Sequence, residues 1–280
     1  MRASELKLAA ADVSFAYPPG PPVVRQVSLS LTGGQTTALI ALNGAGKSRL
    51  AMLLGGLLSP TAGRVLLGGQ DLAGMALGQL ARSVGFVFQD PDLQIFSPTT
   101  RHEIAFGPAN LLHAQALAKQ RTDEALDRFG LGTVAELPPA SLSYGLRRKL
   151  TVAAVYTMRP QFLLLDEPTR GLDPGSATNL MEALDGLRAS GHGLLLLTHD
   201  LDLVARYSQT CALMAAGRLL AYGPTTDVLL QADALQAAGL KPPPMARIVE
   251  RLAAEGRRAR DLTIPAVAAA ILALAGEPHP

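Results

Sequence analysis

The chain has 280 residues and a formal net charge of +2, and its composition is 48% hydrophobic and 17% charged. This length fits one large domain, or one domain with a small appendage, and the small net charge gives no reason to expect a nucleic-acid partner. No apolar run approaches the ~18 residues of a membrane span, the N-terminus lacks the apolar core of a signal peptide, and the single cysteine, Cys211, excludes an internal disulfide, so we expect a cytosolic protein.

The N-terminal part of the chain predicts antiparallel β structure. Residues 13–17 alternate between apolar and polar, a proline-rich break follows at 18–22, and residues 27–34 resume the period of two. Residues 36–41 then form a short apolar run, which is followed by a glycine-rich turn and an apolar, helix-like segment at 48–58. This order predicts a strand, a turn and a helix.

Four later segments are short, continuous apolar runs of the kind found in strands that are buried on both faces. They are residues 84–88, 162–166, 194–198 and 211–217. Leu180, Leu184 and Leu187 are spaced by four and three residues and predict a helix. Strands that alternate with helices predict an α/β fold with a mainly parallel sheet and some antiparallel β structure at the N-terminus.

Two regions lack strand patterns and are expected to be helical. Residues 108–158 read as a helical insertion between two strands of the sheet. Residues 239–244 (GLKPPP) form a stiff break, and residues 247–260 then begin an amphipathic helix. We therefore expect a small helical appendage from about residue 226.

The octapeptide ALNGAGKS, which starts at Ala41, carries the strongest chemical signal. It matches the phosphate-loop pattern G-x-x-x-x-G-K-[ST] except at its first position. Gly44 and Gly46 allow successive N–H groups to face an anion, and the following helix adds positive potential. Lys47 then suits the β- and γ-phosphates, and Ser48 suits Mg²⁺. The alternative is a glycine-rich turn with a solvated lysine.

Asp166 and Glu167 end an apolar strand and form a second candidate site. The carboxyl ends of parallel strands are the usual ligand edge of such a sheet. Asp166 suits contact with Mg²⁺, and Glu167 suits the role of a general base. The alternative is that the pair caps a helix.

With these two sites, the chain resembles an ATP-binding-cassette (ABC) ATPase, a P-loop NTPase, over roughly residues 5–225. The family's other motifs occur here in the same order. They are an aromatic that stacks on adenine (Tyr17), the Q-loop glutamine (Gln89), the signature (142–146), the D-loop (171–173) and the switch histidine (His199).

The resemblance implies three overlapping sets of site residues. The catalytic set is Lys47, Gln89, Glu167 and His199. The nucleotide-binding set is Tyr17, Asn43, Gly44, Ala45, Gly46, Lys47, Ser48, Arg49, Ser143, Gly145 and Asp166. The metal-binding set is Ser48, Gln89 and Asp166. The implied cofactors are ATP and Mg²⁺.

The resemblance also implies individual roles. Glu167 would polarise the attacking water, His199 would contact the γ-phosphate, and Gln89 would sense Mg²⁺ and link the site to a membrane partner. Ser143 and Gly145 would complete the ATP site of an opposing subunit. Without the family resemblance, each of three residues has an alternative interpretation. Tyr17 would be an aromatic of the core, Gln89 a polar residue of a loop, and His199 a structural histidine.

The chain departs from the family pattern at four positions. Ala41 replaces the first glycine of the phosphate loop, and Arg49 replaces the threonine that commonly follows Ser48. Tyr144 and Leu146 replace Gly and Gln of the usual L-S-G-G-Q signature. The signature change predicts either a weakened contribution to the partner's site or a Tyr144 side chain that points outward.

Residues 87–111 and the tail from residue 239 resemble one branch of the family, the energy-coupling-factor ATPases, which include cobalt and nickel importers. This resemblance implies a second ATPase subunit, the same or different, a transmembrane coupling protein, and a separate membrane subunit that captures a vitamin or metal ion. The chain would lie peripherally on the cytoplasmic face of the cell membrane. Asp90 and Asp92 are candidate partners for arginines of the coupling protein, or else exposed loop carboxylates without a partner.

The resulting expectation is a nucleotide-binding domain at residues 1–225, with a helical subdomain at about 90–158, and a C-terminal helical domain at 226–280. The expected activity is ATP hydrolysis coupled to import. The alternatives are another ABC importer ATPase, a weakly hydrolysing member of a heterodimeric pair, and a soluble cassette protein of translation or DNA repair. The last class usually carries two cassettes or a long coiled-coil insertion, and this chain has neither.

Overall fold

The computed structural model describes residues 6–112, 114–254, 262 and 264–275, and within them ten strands and eleven α-helices. The strands are β1 (Lys7–Ala16), β2 (Pro22–Thr32), β3 (Thr36–Ile40), β4 (Ala62–Leu67), β5 (Gln70–Asp71), β6 (Val84–Val87), β7 (Phe162–Asp166), β8 (Gly193–Thr198), β9 (Thr210–Ala215) and β10 (Arg218–Pro224). The helices are α1 (Lys47–Leu54), α2 (Leu77–Ser83), α3 (Thr100–Leu111), α4 (Gln115–Arg128), α5 (Tyr144–Tyr156), α6 (Pro174–Ala189), α7 (Leu201–Tyr207), α8 (Thr225–Leu229), α9 (Ala232–Ala237), α10 (Pro244–Ala254) and α11 (Ile264–Ala275).

The strands form an antiparallel sheet near the N-terminus and a larger, mainly parallel sheet. The first has the order β2-β1-β4-β5, and the second has the order β10-β9-β3-β8-β7-β6. In the second sheet only the β10–β9 pair is antiparallel. The predicted α/β fold, with a mainly parallel sheet and antiparallel β structure at the N-terminus, is therefore confirmed.

The central strands β3, β7 and β8 are buried along their whole length because both faces of the larger sheet are covered. Along β7, Phe162 and Leu164 point into the core that is shared with the antiparallel sheet and α1. Leu163 and Leu165 point into a second core with α5 and α6. The period of two along a strand thus supplies two cores from one apolar run.

Helix α6 buries the predicted stripe of leucines against the second core. Leu180, Leu184 and Leu187 are all buried there. The helix begins after Asp173, whose side chain accepts a hydrogen bond from the Ser176 N–H at 2.9 Å. This cap ends the loop that follows β7 and fixes where α6 starts.

The C-terminal helices cover the sheet over β3 and β9. Ile40 and Leu213 share a third core with Val228, Leu235 and Val249 of α8, α9 and α10. Of the amphipathic helix predicted at 247–260, residues 247–254 belong to α10, and residues 255–260 lie outside the described residues, as do 276–280 of the predicted C-terminal domain. Among the residues that the structure describes, no helix has the length and apolarity needed to cross a bilayer.

Strands β4, β5 and β10 were not predicted. Strand β4 begins with three exposed residues that include a glycine and an arginine, and β5 has only two residues. Strand β10 is an edge strand with no buried residue. Each forms by pairing with a more apolar neighbour, which is a tertiary effect that local sequence does not report.

Cys211 offers a test of how tightly β9 is packed. Its side chain is fully buried, and this burial raises the pKa of the thiol to about 12. Because the thiolate is the reactive form, we expect iodoacetamide at pH 8 to leave the native chain unmodified and to alkylate Cys211 once the chain is unfolded in guanidinium chloride. Intact mass spectrometry reads both outcomes, and rapid modification of the native chain would contradict this packing.

Candidate functional site

The turn between β3 and α1 is held in a conformation that requires glycine. Gly44 and Gly46 have φ angles of 81° and 101°, and a Cβ on Gly46 would lie 2.8 Å from the carbonyl oxygen of Val23. Any other residue at Gly46 would be strained in φ and would clash. Ala41 directly follows β3, is buried and does not adopt a positive φ, so the missing first glycine costs this backbone nothing.

Lys47 begins α1, and its side chain is buried under the turn. The ammonium group donates to the carbonyl oxygens of Ala41 at 2.7 Å and Leu42 at 3.3 Å. Burial lowers the pKa of Lys47, and the nearby carboxylates of Glu167 and Asp166 oppose that shift. A buried cation at the N-terminus of a helix suits the binding of a polyphosphate.

Asp166 lies at the carboxyl end of β7, where its side chain is buried beside α1. Burial raises the pKa of this carboxyl, the neighbouring Ser48 hydroxyl lowers it, and the charge of Glu167 adds to the rise. A serine hydroxyl and a carboxylate are oxygen donors of the kind that Mg²⁺ prefers.

Glu167 follows Asp166 in a rare backbone conformation, with φ at 47°. Its Oε1 atom lies 2.9 Å from His199 Nδ1, and its Oε2 accepts a hydrogen bond from the Thr198 hydroxyl at 3.5 Å. The Glu167 side chain is only 8% exposed, whereas His199 is 59% exposed. The histidine therefore reaches from solvent to orient a buried carboxylate.

Lys47, Asp166 and Glu167 line one open cleft of about 440 Å³, whereas His199 is not among its lining residues and meets it only through Glu167. The predicted site residues that line it are Tyr17, Asn43, Gly44, Gly46, Lys47, Ser48, Arg49, Gln89, Asp166 and Glu167. The Arg49 guanidinium lies 5.7 Å from the centroid of the Tyr17 ring at its mouth. Ala45 is partly buried against the core, and its carbonyl accepts a hydrogen bond from the Gly217 N–H at 3.1 Å.

Ser143 and Gly145 do not line this cleft. They lie at the start of α5, where the exposed Ser143 caps the helix by accepting a hydrogen bond from the Leu146 N–H at 3.4 Å. The Tyr144 ring does not point outward, because it packs on Gly171 of the same chain, where an added Cβ would lie 3.0 Å from the ring. The unusual tyrosine therefore leaves Ser143 exposed.

Sequence reasoning missed two arginines of the site. Arg170 lines the cleft, and Arg148 is fully buried behind it. Arg148 stands in the basic run Arg147–Lys149, which reads as a solvated helix face. The only available signal was its spacing of four and seven residues from Val152 and Val155, which lie on the same side of α5 and are also buried.

Comparison with known proteins matches the ABC transporter family model to residues 24–170. The chain is 34% identical over 247 residues to the energy-coupling factor transporter ATP-binding protein EcfA of Methanothermobacter thermautotrophicus. The aligned residues cover 88% of this chain and 79% of that protein. It is 40% identical over 238 residues to the cobalt import ATP-binding protein CbiO of Rhodobacter capsulatus, with 84% and 85% covered. Among solved structures, cbiO1 from Clostridium perfringens, part of the ABC transporter complex cbiONQ, superposes with a TM-score of 0.73 at 30% identity, over 87% of this chain and 98% of that one.

Proposed function

Because the chain belongs to the ABC transporter family as one of its ATP-hydrolysing subunits, we propose that it powers a membrane importer of the energy-coupling-factor type, for a vitamin or a metal ion such as cobalt or nickel. One observation carries the proposal: the phosphate loop lines the same cleft as Gln89, Asp166 and Glu167. The relatives named EcfA and CbiO support the choice of this branch.

The residues of the cleft suit Mg²⁺ together with ATP. Ser48 and Asp166 would hold the ion, with Gln89 beside them, and a bound Mg²⁺ would neutralise charge on the phosphates. The described residues contain no group of three or more His, Cys, Asp or Glu side chains arranged so that they could hold a metal ion by themselves. A magnesium site of this class does not require such a cluster, because phosphates and water supply most of its ligands.

Different side chains bind the phosphates, activate the water and orient the general base. Lys47 binds the phosphates, while Glu167 accepts a proton from the attacking water and holds that water in line. His199 keeps the Glu167 carboxylate in one orientation through the 2.9 Å contact. The exposed Ser143 and the half-buried Gly145, both at the start of α5, would approach the γ-phosphate held by a second ATPase subunit, where the helix N-terminus favours negative charge.

The proposed assembly is a pair of ATPase subunits on the cytoplasmic face of the cell membrane, docked on a coupling protein, with the nucleotide-binding domain at 1–225, its helical subdomain at about 90–158, and the C-terminal domain at 226–280. Purification of the tagged chain from its native membranes tests this proposal. We expect membrane proteins to copurify and phosphate release to require Mg²⁺. Recovery of the chain without any membrane protein would contradict the transport role and favour a soluble cassette function.

Tyr17 offers a test of how the base is bound. Its ring is 47% exposed at the mouth of the cleft, so it is available for stacking on adenine. Stacking of a base on an aromatic ring contributes about 1–3 kcal/mol, so we expect Tyr17→Ala to raise the Kd for ATP by roughly 5- to 150-fold. Tyr17→Phe keeps the ring and should bind like the wild type. Equal affinity of the alanine and phenylalanine variants would exclude stacking.

Asp92 offers a test of docking. It is exposed, and the nearby apolar side chains Leu93 and Phe96 are 77% and 65% exposed. Within the chain, Asp92 Oδ1 forms an ion pair with Arg147 Nε at 3.3 Å. We propose that Asp90 and Asp92 also receive arginines of the coupling protein, so Asp92→Ala should lower recovery of the membrane complex. An exposed ion pair contributes less than about 1 kcal/mol to folding, so the Tm should barely move.

The matched control for that test is Asp185→Ala, which removes a half-buried aspartate that likewise has one arginine partner, Arg188 at 2.6 Å. Copurification of the membrane proteins measures the effect. If Asp92→Ala and Asp185→Ala both recover the complete complex, the docking role of Asp92 is wrong.

A further inference from the structure

Arg148 is the largest side chain that the described structure buries completely, and all of its donors are used. Five carbonyl oxygens accept hydrogen bonds from its guanidinium group, and they come from Phe88, Gln89, Asp166, Glu167 and Pro168. The distances are 3.0 Å to Gln89, 2.5 Å to both Asp166 and Glu167, and 3.1 Å to Pro168. A guanidinium has five N–H groups, so donors and acceptors match in number.

The five carbonyls lie where two neighbouring strands stop pairing, because Asp166 ends β7 and the other four residues directly follow β6 or β7. Strands β6 and β7 run parallel, and their ladder ends at the pair Val87 and Leu165. The next residues along each strand, Phe88 and Asp166, are bridged by Arg148 instead. The guanidinium therefore continues the link between the strands past the end of the backbone ladder, where the site residues begin.

Packing alone does not account for an arginine here. A buried charge costs free energy unless its hydrogen bonds are complete, and an apolar side chain of similar volume would fill the same space. In the described structure no carboxylate is hydrogen-bonded to this guanidinium, and the carbonyl dipoles compensate its charge. What an apolar residue cannot do is hold two diverging backbones at a fixed separation.

We propose that Arg148 is a positioning residue that fixes the backbone of Gln89 relative to the backbone of Glu167. The two side chains line the same cleft from different strands, and Arg148 bonds the main chain of both. It makes no hydrogen bond to the phosphate loop, so its loss should spare ATP binding and impair the chemical step. This inference rests on the proposed ATPase function.

The test compares Arg148→Lys and Arg148→Gln with the wild type in the complex purified with its membrane partners. Lysine keeps the charge but cannot span both strands, and glutamine loses the charge and most donors. We expect ATP affinity and binding stoichiometry to stay at wild-type values while kcat falls by about 100-fold, the usual effect of an ångström-scale misplacement. Lysine should retain more activity than glutamine. Arg159→Lys is the matched control, because Arg159 pairs with Glu124 at 2.6 Å away from the cleft.

Two results would overturn the inference. One is a wild-type kcat in both Arg148 variants. The other is a loss of ATP-binding stoichiometry in proportion to kcat, which would mean that Arg148 only maintains the fold. Glu167→Gln in the same assay separates the two proposals. If it hydrolyses ATP like the wild type, the proposed function fails, whereas an inactive Glu167→Gln beside fully active Arg148 variants defeats only the positioning role.

Discussion

Replacing Glu167 by glutamine is expected to lower the steady-state ATPase rate by about 10²- to 10⁴-fold, the range for loss of a general base. The carboxylate is buried next to the phosphate loop and fixed by His199 and Thr198. Glutamine has nearly the same shape, so it should preserve packing and ATP binding while it removes the proton acceptor. Phosphate release by the purified complex at saturating Mg²⁺ and ATP measures the effect.

The matched control is Glu182→Gln, which makes the same substitution at an exposed position on α6. It should hydrolyse ATP at the wild-type rate. Equal rates for Glu167→Gln and the wild type would remove Glu167 from the chemistry, even if ATP binding stayed intact.

Replacing Lys47 by methionine is expected to weaken ATP binding by roughly 10- to 150-fold, because hydrogen bonds to a charged group contribute about 1.5–3 kcal/mol. The ammonium group is buried beside the phosphate loop, and its only hydrogen-bond acceptors in the described structure are the carbonyls of Ala41 and Leu42. Methionine has a similar length and suits a buried site. Isothermal titration with ATP measures the Kd.

Lys119→Met is the control for that experiment. Lys119 is 78% exposed on α4 and pairs with Asp123 at 2.6 Å, so its loss removes a charge without touching the cleft. If Lys47→Met bound ATP as tightly as Lys119→Met, the phosphate-binding role of Lys47 would be wrong.

Local sequence predicted the features of this fold that depend on local chemistry. The buried strand β7 was readable because its apolar run ends abruptly at Asp166 and Glu167. The turn before Lys47 was readable because only glycine fits the backbone conformation at Gly46. In both cases one physical constraint acts on adjacent residues, and the pattern therefore survives in the sequence.

Features that depend on distant residues were not predicted. Arg148 reads as part of a basic run, and its burial follows from carbonyls that come from two other strands. Tyr144 reads as an irregularity in the signature, and only the approach of Gly171 shows where its ring packs. Strand β10 exists because β9 offers it a partner.

The central claim is that the chain carries half of an ATPase site, with Lys47 and Glu167 in its own cleft and Ser143 exposed for a second subunit. The most direct measurement is phosphate release per chain at saturating Mg²⁺ and ATP, for the isolated chain at low concentration and for the chain in its membrane complex. We predict steady turnover in the complex and little or none in the isolated chain. Equal rates per chain would mean that one chain holds a complete catalytic site, and this would contradict the account.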